Sequence, residues 1–210
     1  MNIIQHIVAG LFVLLLCSCA ATQGDNAGGH AVVYEDPSAR GEVSGIGIDS
    51  NDIVAMTGTM VSSMLQNPLL MGRKPAPRII IDAEHFKNES STRINKNMIT
   101  DRLRIELNRA ANGRILFLSR EYSDVVDKER TDKREGNLTK GSMGMAKAQA
   151  GADFRLVGRI SSKDALRHKT GQTSRFHQIT FEMIDLETSA VIWGDQFEFK
   201  KTGQDDVVYR

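Results

Sequence analysis

The 210 residues carry 40% hydrophobic, 25% charged and 6% aromatic side chains, ordinary globular usage that excludes a disordered or collagen-like chain and fits one domain with an arm. The 27 basic and 26 acidic side chains nearly cancel to a net charge of +1, so no global field attracts nucleic acid. Cys17 and Cys19 are the only two cysteines, which excludes a disulfide framework and a multi-cysteine metal site from the folded part.

The first feature in chain order is an apolar run, IVAGLFVLLL, ending at Leu16. About ten residues is the length of a signal-peptide core and well short of the ~20 that a spanning helix needs. It closes on Leu16-Cys17-Ser18-Cys19, followed by Ala20, Ala21 and a polar stretch. These four residues resemble a bacterial lipobox, in which a cysteine preceded by a small residue receives diacylglycerol. Ser18 precedes Cys19 whereas bulky Leu16 precedes Cys17, so Cys19 is the lipid acceptor and residues 1–18 form the signal peptide. The resemblance implies a triacylated anchor, which holds a protein far more firmly than a single chain. It also implies transfer to the outer membrane, because Ala20 is not the aspartate of inner-membrane retention. Palmitate labelling in cells is expected to mark the wild type and to vanish in Cys19→Ser; a labelled variant would sink the assignment.

Residues 19–48 read as the lipidated cysteine and a flexible tether, with an r.m.s. span of roughly 30 Å and at most about 100 Å fully extended. Gly45-Ile46-Gly47 lacks a preceding strand and a third glycine, so it is a hinge and no dinucleotide fingerprint. A domain is expected over residues 49–202, followed by a tail over 203–210. Asp49-Ser50-Asn51-Asp52 supplies cap-type residues before Ile53, Met56, Met60, Val61, Met64 and Leu65, a stripe that predicts an amphipathic helix ending near Asn67-Pro68. Arg78-Ile79-Ile80-Ile81-Asp82 predicts a short buried strand, and residues 85–91 a mobile, wet loop. A second helix begins at Asn95 with Met98, Ile99, Leu103 and Leu107 facing inward, and Asn112-Gly113 stops it. Residues 115–118 read as another strand. Residues 119–140 interleave both signs of charge and predict a solvated helix passing into a loop, and residues 141–152 a small-residue helical segment.

The last sixty residues read as three strands. Phe154, Leu156 and Ile160 share one face of the first, with Arg155, Val157 and Arg159 on the other. Ile179, Phe181 and Met183 fall together on the second, and Val191, Trp193, Phe197 and Phe199 on the third, joined by a tight turn at Leu186-Glu187-Thr188-Ser189. The polar link over residues 163–174 predicts a floppy hairpin tip. The expected class is α+β, a mostly antiparallel sheet with helices packed on one face.

The search for chemistry yields little. His30, His85, His168 and His177 form no metal-ligand spacing, and no Gly-x-Ser-x-Gly elbow or phosphate loop exists. Asp82 and Glu84 read as surface carboxylates beside a strand end and not as a catalytic pair. No catalytic residue, metal or cofactor is expected, and the weight falls on a binding protein.

Several segments then occur in an order that resembles the LpoB family of penicillin-binding protein activators. They are the lipobox, the tether, Arg78-Ile79-Ile80-Ile81-Asp82 with Phe86-Lys87-Asn88-Glu89-Ser90, the Met98 helix, and Gly113-Arg114-Ile115-Leu116-Phe117-Leu118. Ala150-Gly151-Ala152-Asp153 leading to Gly158, and Asp185-Leu186-Glu187 leading to Trp193-Gly194, complete the set, so the resemblance covers residues 48–200. It implies a domain similar to the N-terminal domain of TolB, on a non-catalytic outer-membrane lipoprotein at the periplasmic face. It further implies docking on a class A penicillin-binding protein and stimulation of peptidoglycan synthesis, with no nucleic-acid partner. The expected contacts are exposed polar groups: Arg155, Arg159, Gln178 and Glu182 on the strands, and Arg167 and His168 at the hairpin tip, with the loop at Asn88-Glu89-Ser90-Ser91 a further candidate. Against this, the tether is short and nearly proline-free. A second reading of the same architecture is therefore a lipoprotein assembly factor of an envelope or secretion complex. A carbohydrate-binding module is disfavoured by the scarcity of aromatic platforms, with one Trp and three Tyr.

Overall fold

A computed structural model describes residues 32–139, 141 and 147–209. Residues 1–18, expected to form a signal peptide, together with Cys19, Met143 and Met145, lie outside the described residues, and no described helix is long and apolar enough to cross a membrane. The fold belongs to the unit Asp36–Arg210.

Helix α1 spans Ser50–Gln66 and begins as its capping residues predict, the Asp49 N–H donating to the Asp52 carboxylate at 2.8 Å. Its stripe of Ile53, Met56, Met60 and Met64 is buried. Asn67 ends it and at once caps the short helix α2, Pro68–Met71, by accepting from the Leu69 N–H. Helix α3, Lys96–Ala111, buries Ile99, Leu103 and Leu107, and stops at Asn112 and Gly113, both in the left-handed region. Met98 departs from expectation: it is 58% exposed, because one residue before Ile99 lies about 100° round the helix from the buried stripe. Helix α4, Ser123–Glu135, buries nothing and is solvated as its charge pattern requires. Residues 147–152, expected to be helical, are irregular chain in which the Gln149 side-chain Oε1 and the Ala150 backbone carbonyl accept from Arg120.

The strands are β1 (Arg78–Glu89), β2 (Leu116–Leu118), β3 (Phe154–Arg167), β4 (Gln172–Asp185) and β5 (Val191–Gly203), forming one sheet in the order β2-β1-β3-β4-β5. The pairs β3·β4 and β4·β5 are antiparallel and long; β1 runs parallel to both β2 and β3. The class is α+β with a mostly antiparallel sheet, and α1 and α3 pack on its inner face, where Phe154, Leu156, Ile160, Ile179, Phe181 and Met183 complete the core. At the head of the sheet the Asp153 carboxylate takes two hydrogen bonds from the Arg78 guanidinium, at 2.7 and 3.2 Å, and one from the Arg78 N–H. These bonds hold its pKa below the usual carboxylate range and fix the start of β3 against β1.

Two strand boundaries and one inward-facing assignment differ from the sequence reading, each for a physical reason. The segment expected to be a wet loop after Asp82 is the second half of β1. A bulge at residues 82–85 shifts the pairing between Ile81 and Phe86, after which Phe86 points inward and stacks on Phe181 at 5.3 Å between centroids. The link over residues 163–174 is mostly strand, leaving only residues 168–171 as the tip. Arg175 sits opposite Asp164 in register and grips it with two 2.7 Å hydrogen bonds, an ion pair that hydropathy does not register. Val191 is 56% exposed because the register shift between Met183 and Ile184 places it opposite Ile184 and not beside Trp193.

The packed body also reaches beyond residues 49–202. Ile46 and Ile48 are buried, and Val207 and Tyr209 of the tail return to lie against the neighbouring Gly45 and Gly47. A Cβ on Gly47 would lie 2.4 Å from the Tyr209 ring, and one on Gly45 would lie 2.8 Å from the Val207 side chain, so this close approach requires glycine at both positions.

Candidate docking face

Because side chains alternate along a strand, the helix-covered face of the sheet implies an opposite one, and here it carries polar residues. The register fixes its rows. Lys87, Arg159, Thr180 and Gln196 lie side by side across β1, β3, β4 and β5; the next row is Glu89, Ser161, Gln178 and Glu198; on the other side Val157 neighbours Glu182 and Gly194. A shallow depression of about 730 Å³ opens among Lys87, Arg159, Gln178, Thr180 and Glu182.

The structure places the six predicted contact residues in three locations. Arg159, Gln178 and Glu182 line the depression together. Arg159 is half-exposed with Glu89 at 3.6 Å, and Gln178 donates its amide to Glu198 at 2.7 Å and to Gln196 at 3.3 Å. Arg167 and His168 sit at the hairpin tip, eight residues along β3 from Arg159, or roughly 26 Å. Arg155 stands at the rim. Its guanidinium is largely covered and lies 3.7 Å from Asp82, 3.3 Å from Glu84 and 3.0 Å from the His85 ring.

That rim cluster answers the question of paired carboxylates. Among the described residues, Asp82, Glu84 and His85 bring three ligand-type atoms within 4.8 Å of one another. The Arg155 guanidinium already lies against them and supplies the positive charge that a cation would bring. The arrangement fixes the β1 bulge to β3. Of the expected loop candidate, Asn88 and Glu89 end β1 and Ser90-Ser91 turn away from it: the Asn88 side chain donates to the Thr92 carbonyl, and the Ser91 N–H donates to Ser162 Oγ at 2.9 Å.

Sequence reasoning missed Lys87, Gln196 and Glu198, which complete the face. Lys87 was hidden because the bulge breaks the alternation that would have placed it on a strand. Gln196 and Glu198 carried a usable signal, being the outward partners of Phe197 and Phe199 in a strand whose alternation is clear. Chemically the face is a mosaic of cations (Lys87, Arg159) and carboxylates (Glu89, Glu182, Glu198) within reach of one another. Such a mosaic suits recognition of a protein surface carrying both signs of charge.

A family model described as peptidoglycan-synthase activator LpoB matches residues 52–199. Among solved structures, the LpoB C-terminal domain from Salmonella enterica is similar at 20% identity, covering 71% of this chain and 96% of that one, with a TM-score of 0.38. Lipoprotein GNA1162 from Neisseria meningitidis is similar at 10% identity, covering 61% and 84%, with a TM-score of 0.31. No curated protein matches.

Proposed function

This chain belongs to the LpoB family of peptidoglycan-synthase activators, and from that membership we propose that it docks on a class A penicillin-binding protein and raises its rate without catalysing a step itself. The observation that carries the reading is the family match over residues 52–199, which runs from the first turn of α1 to Phe199 of β5. The open, mixed-charge face around Arg159, Gln178 and Glu182 is the docking surface in this proposal. A non-catalytic domain accelerates an enzyme only by binding its active conformation more tightly than its resting one. A coupling of about 1–3 kcal/mol corresponds to a gain of roughly 5- to 150-fold. Cys19 supplies the anchor, at the periplasmic face of the outer membrane, from which the body reaches its partner.

The test is direct. The full chain is immobilised and offered candidate class A synthases, and glycan polymerisation by each is measured with and without it. The expected result is capture of one synthase and an increased rate with that enzyme. Absence of both binding and rate change across the set would overturn the proposal.

A further inference from the structure

The long arms of β3, β4 and β5 extend past the helices, and their inner face at that end is covered differently, by a strap (residues 44–47) and a tail (residues 205–209). Beside the close packing of Gly45 and Gly47 on Val207 and Tyr209, a set of specific polar contacts holds these pieces together. The Ile46 carbonyl pairs with His177 Nε2 at 2.8 Å, and the Gly47 carbonyl accepts from Lys201 Nζ at 3.0 Å. Tyr209 donates its hydroxyl to Asp49 at 2.7 Å and accepts from the Gly45 N–H at 3.1 Å. Asp205 of the tail accepts from Arg175 at 3.0 Å. The Tyr209 hydroxyl is pushed up to about 12 by burial and by the Asp49 carboxylate, so it stays a donor throughout the ordinary pH range.

His177 is the keystone. It is fully buried, its ring stacks on Phe199 at 4.8 Å, and donation from Nε2 to the Ile46 carbonyl leaves Nδ1 an acceptor with no partner. Facing it are Arg175 of its own strand, Lys201 of β5, Asp52 of α1 and Asp164 of β3. Both carboxylates are already engaged, Asp52 by Lys201 at 2.5 Å and Asp164 by Arg175. A proton on Nδ1 therefore has no acceptor and adds a third cation beside Arg175 and Lys201.

We propose that the strap and tail form an acid-released clasp, in which protonation of His177 detaches residues 44–47 and 205–209 from the hairpin while the helix-covered body stays folded. The separation is built into the packing. The main hydrophobic core begins at Ile48 and runs through α1, α3 and the upper sheet, with Phe199 at its edge and Ile46 outside it, whereas the clasp meets the sheet through His177, Lys201 and Arg175. Burial first, then Arg175 and Lys201, hold the imidazole below the ordinary histidine range, against the pull of the Ile46 carbonyl and Asp52. The closed state thus binds the proton less well than the open one. Closure is fully favoured above about pH 6.5 and weakens progressively as the pH falls below that value. On the anchored reading above, release lengthens the tether by four residues, or about 14 Å.

The test is amide hydrogen exchange of the full chain at pH 7.5 and 5.5, corrected for intrinsic exchange, comparing residues 44–48 and 205–209 with residues 154–160 and 179–183. Opening of the strap and tail is expected to rise roughly tenfold at the lower pH, with β3 and β4 unchanged. In His177→Gln, whose amide keeps a donor for the Ile46 carbonyl, strap exchange is expected to lose its pH dependence. In Tyr209→Phe, which lacks the bond to Asp49, the strap is expected to open faster already at pH 7.5. Strap protection that is indifferent to pH, loss of protection everywhere at once, or an unchanged pH response in His177→Gln would each overturn the clasp. Wild-type exchange decides the matter even if a variant does not fold. None of these measurements involves a synthase, so failure of the clasp and failure of the docking proposal are distinguishable.

Discussion

Replacing Phe86 with alanine is expected to cost about 3–5 kcal/mol of stability, lowering the melting temperature by on the order of 10 °C. Phe86 is 2% exposed, stacks on Phe181, and lies over Gly158, which pairs with both residues across the sheet. A glycine in a central strand leaves a gap, and the Phe86 ring fills it: a Cβ on Gly158 would lie 2.3 Å from Cε2 of that ring. The converse substitution, Gly158→Ala, is expected to cost about 1–3 kcal/mol by overpacking. The two are in contact, so their costs are not additive. In a Phe86→Ala background Gly158→Ala should cost less, although the Thr180 carbonyl, 2.9 Å from the new Cβ, preserves part of the penalty. Denaturant titration of the four chains measures the coupling, and strict additivity would refute the ring-over-glycine account.

The second large effect concerns docking. Lys87 and Arg159 are neighbours in register on the open face, and the double variant Lys87→Glu with Arg159→Glu turns their row from cationic to anionic between Glu89 and Glu182. Affinity for a synthase captured by the wild type is expected to fall at least about tenfold, since like-charge juxtaposition across an interface costs several kcal/mol. Surface substitutions of this kind usually alter stability by only about 0.5 kcal/mol each, so the melting temperature should move little. Titration calorimetry or surface binding at two salt concentrations provides the readout. Undiminished affinity in a folded double variant would remove this face from the docking surface, and the corresponding pair at the hairpin tip, Arg167 with His168, would be examined next.

The regular elements were legible because their signals are local. The cap residues at Asp49 and Asn95, the stripe from Ile53 to Met64, the left-handed stop at Asn112-Gly113 and the alternation from Phe154 to Ile160 each depend on neighbours within a turn or two of chain. What escaped notice depends on partners far away. Phe86 lay four residues beyond a recognised strand in a polar stretch, and the bulge that restores it to the core leaves no period to read. The paired charges of Asp164 and Arg175 made strand look like loop, since only the bond to Asp164 makes burial of the Arg175 guanidinium tolerable. The same holds for Gly45-Ile46-Gly47, whose glycines suggested a hinge. They serve close packing against Tyr209, 162 positions on from Gly47, and the lone tyrosine beside Val207 and Val208 in the tail was the available clue. Of the docking face, Arg159, Gln178 and Glu182 were visible as outward strand positions, while Lys87 was not.

The sheet order also sets a timetable. β1 has its three consecutive isoleucines ready early in the chain, yet β3, the longer of the two strands beside it, follows only after Asp153, the residue 75 positions on that Arg78 grips. The hairpins of β3, β4 and β5 close over short turns and need nothing upstream, whereas seating β1 requires a long loop to close. In a chain delivered amino end first, whether from a ribosome or through a translocation channel, Ile79, Ile80 and Ile81 emerge sticky and partnerless. β2 can cover one edge of β1 once Leu118 is out, but the other edge stays open until the carboxy-terminal third arrives, and over that interval the segment is a natural client for a chaperone.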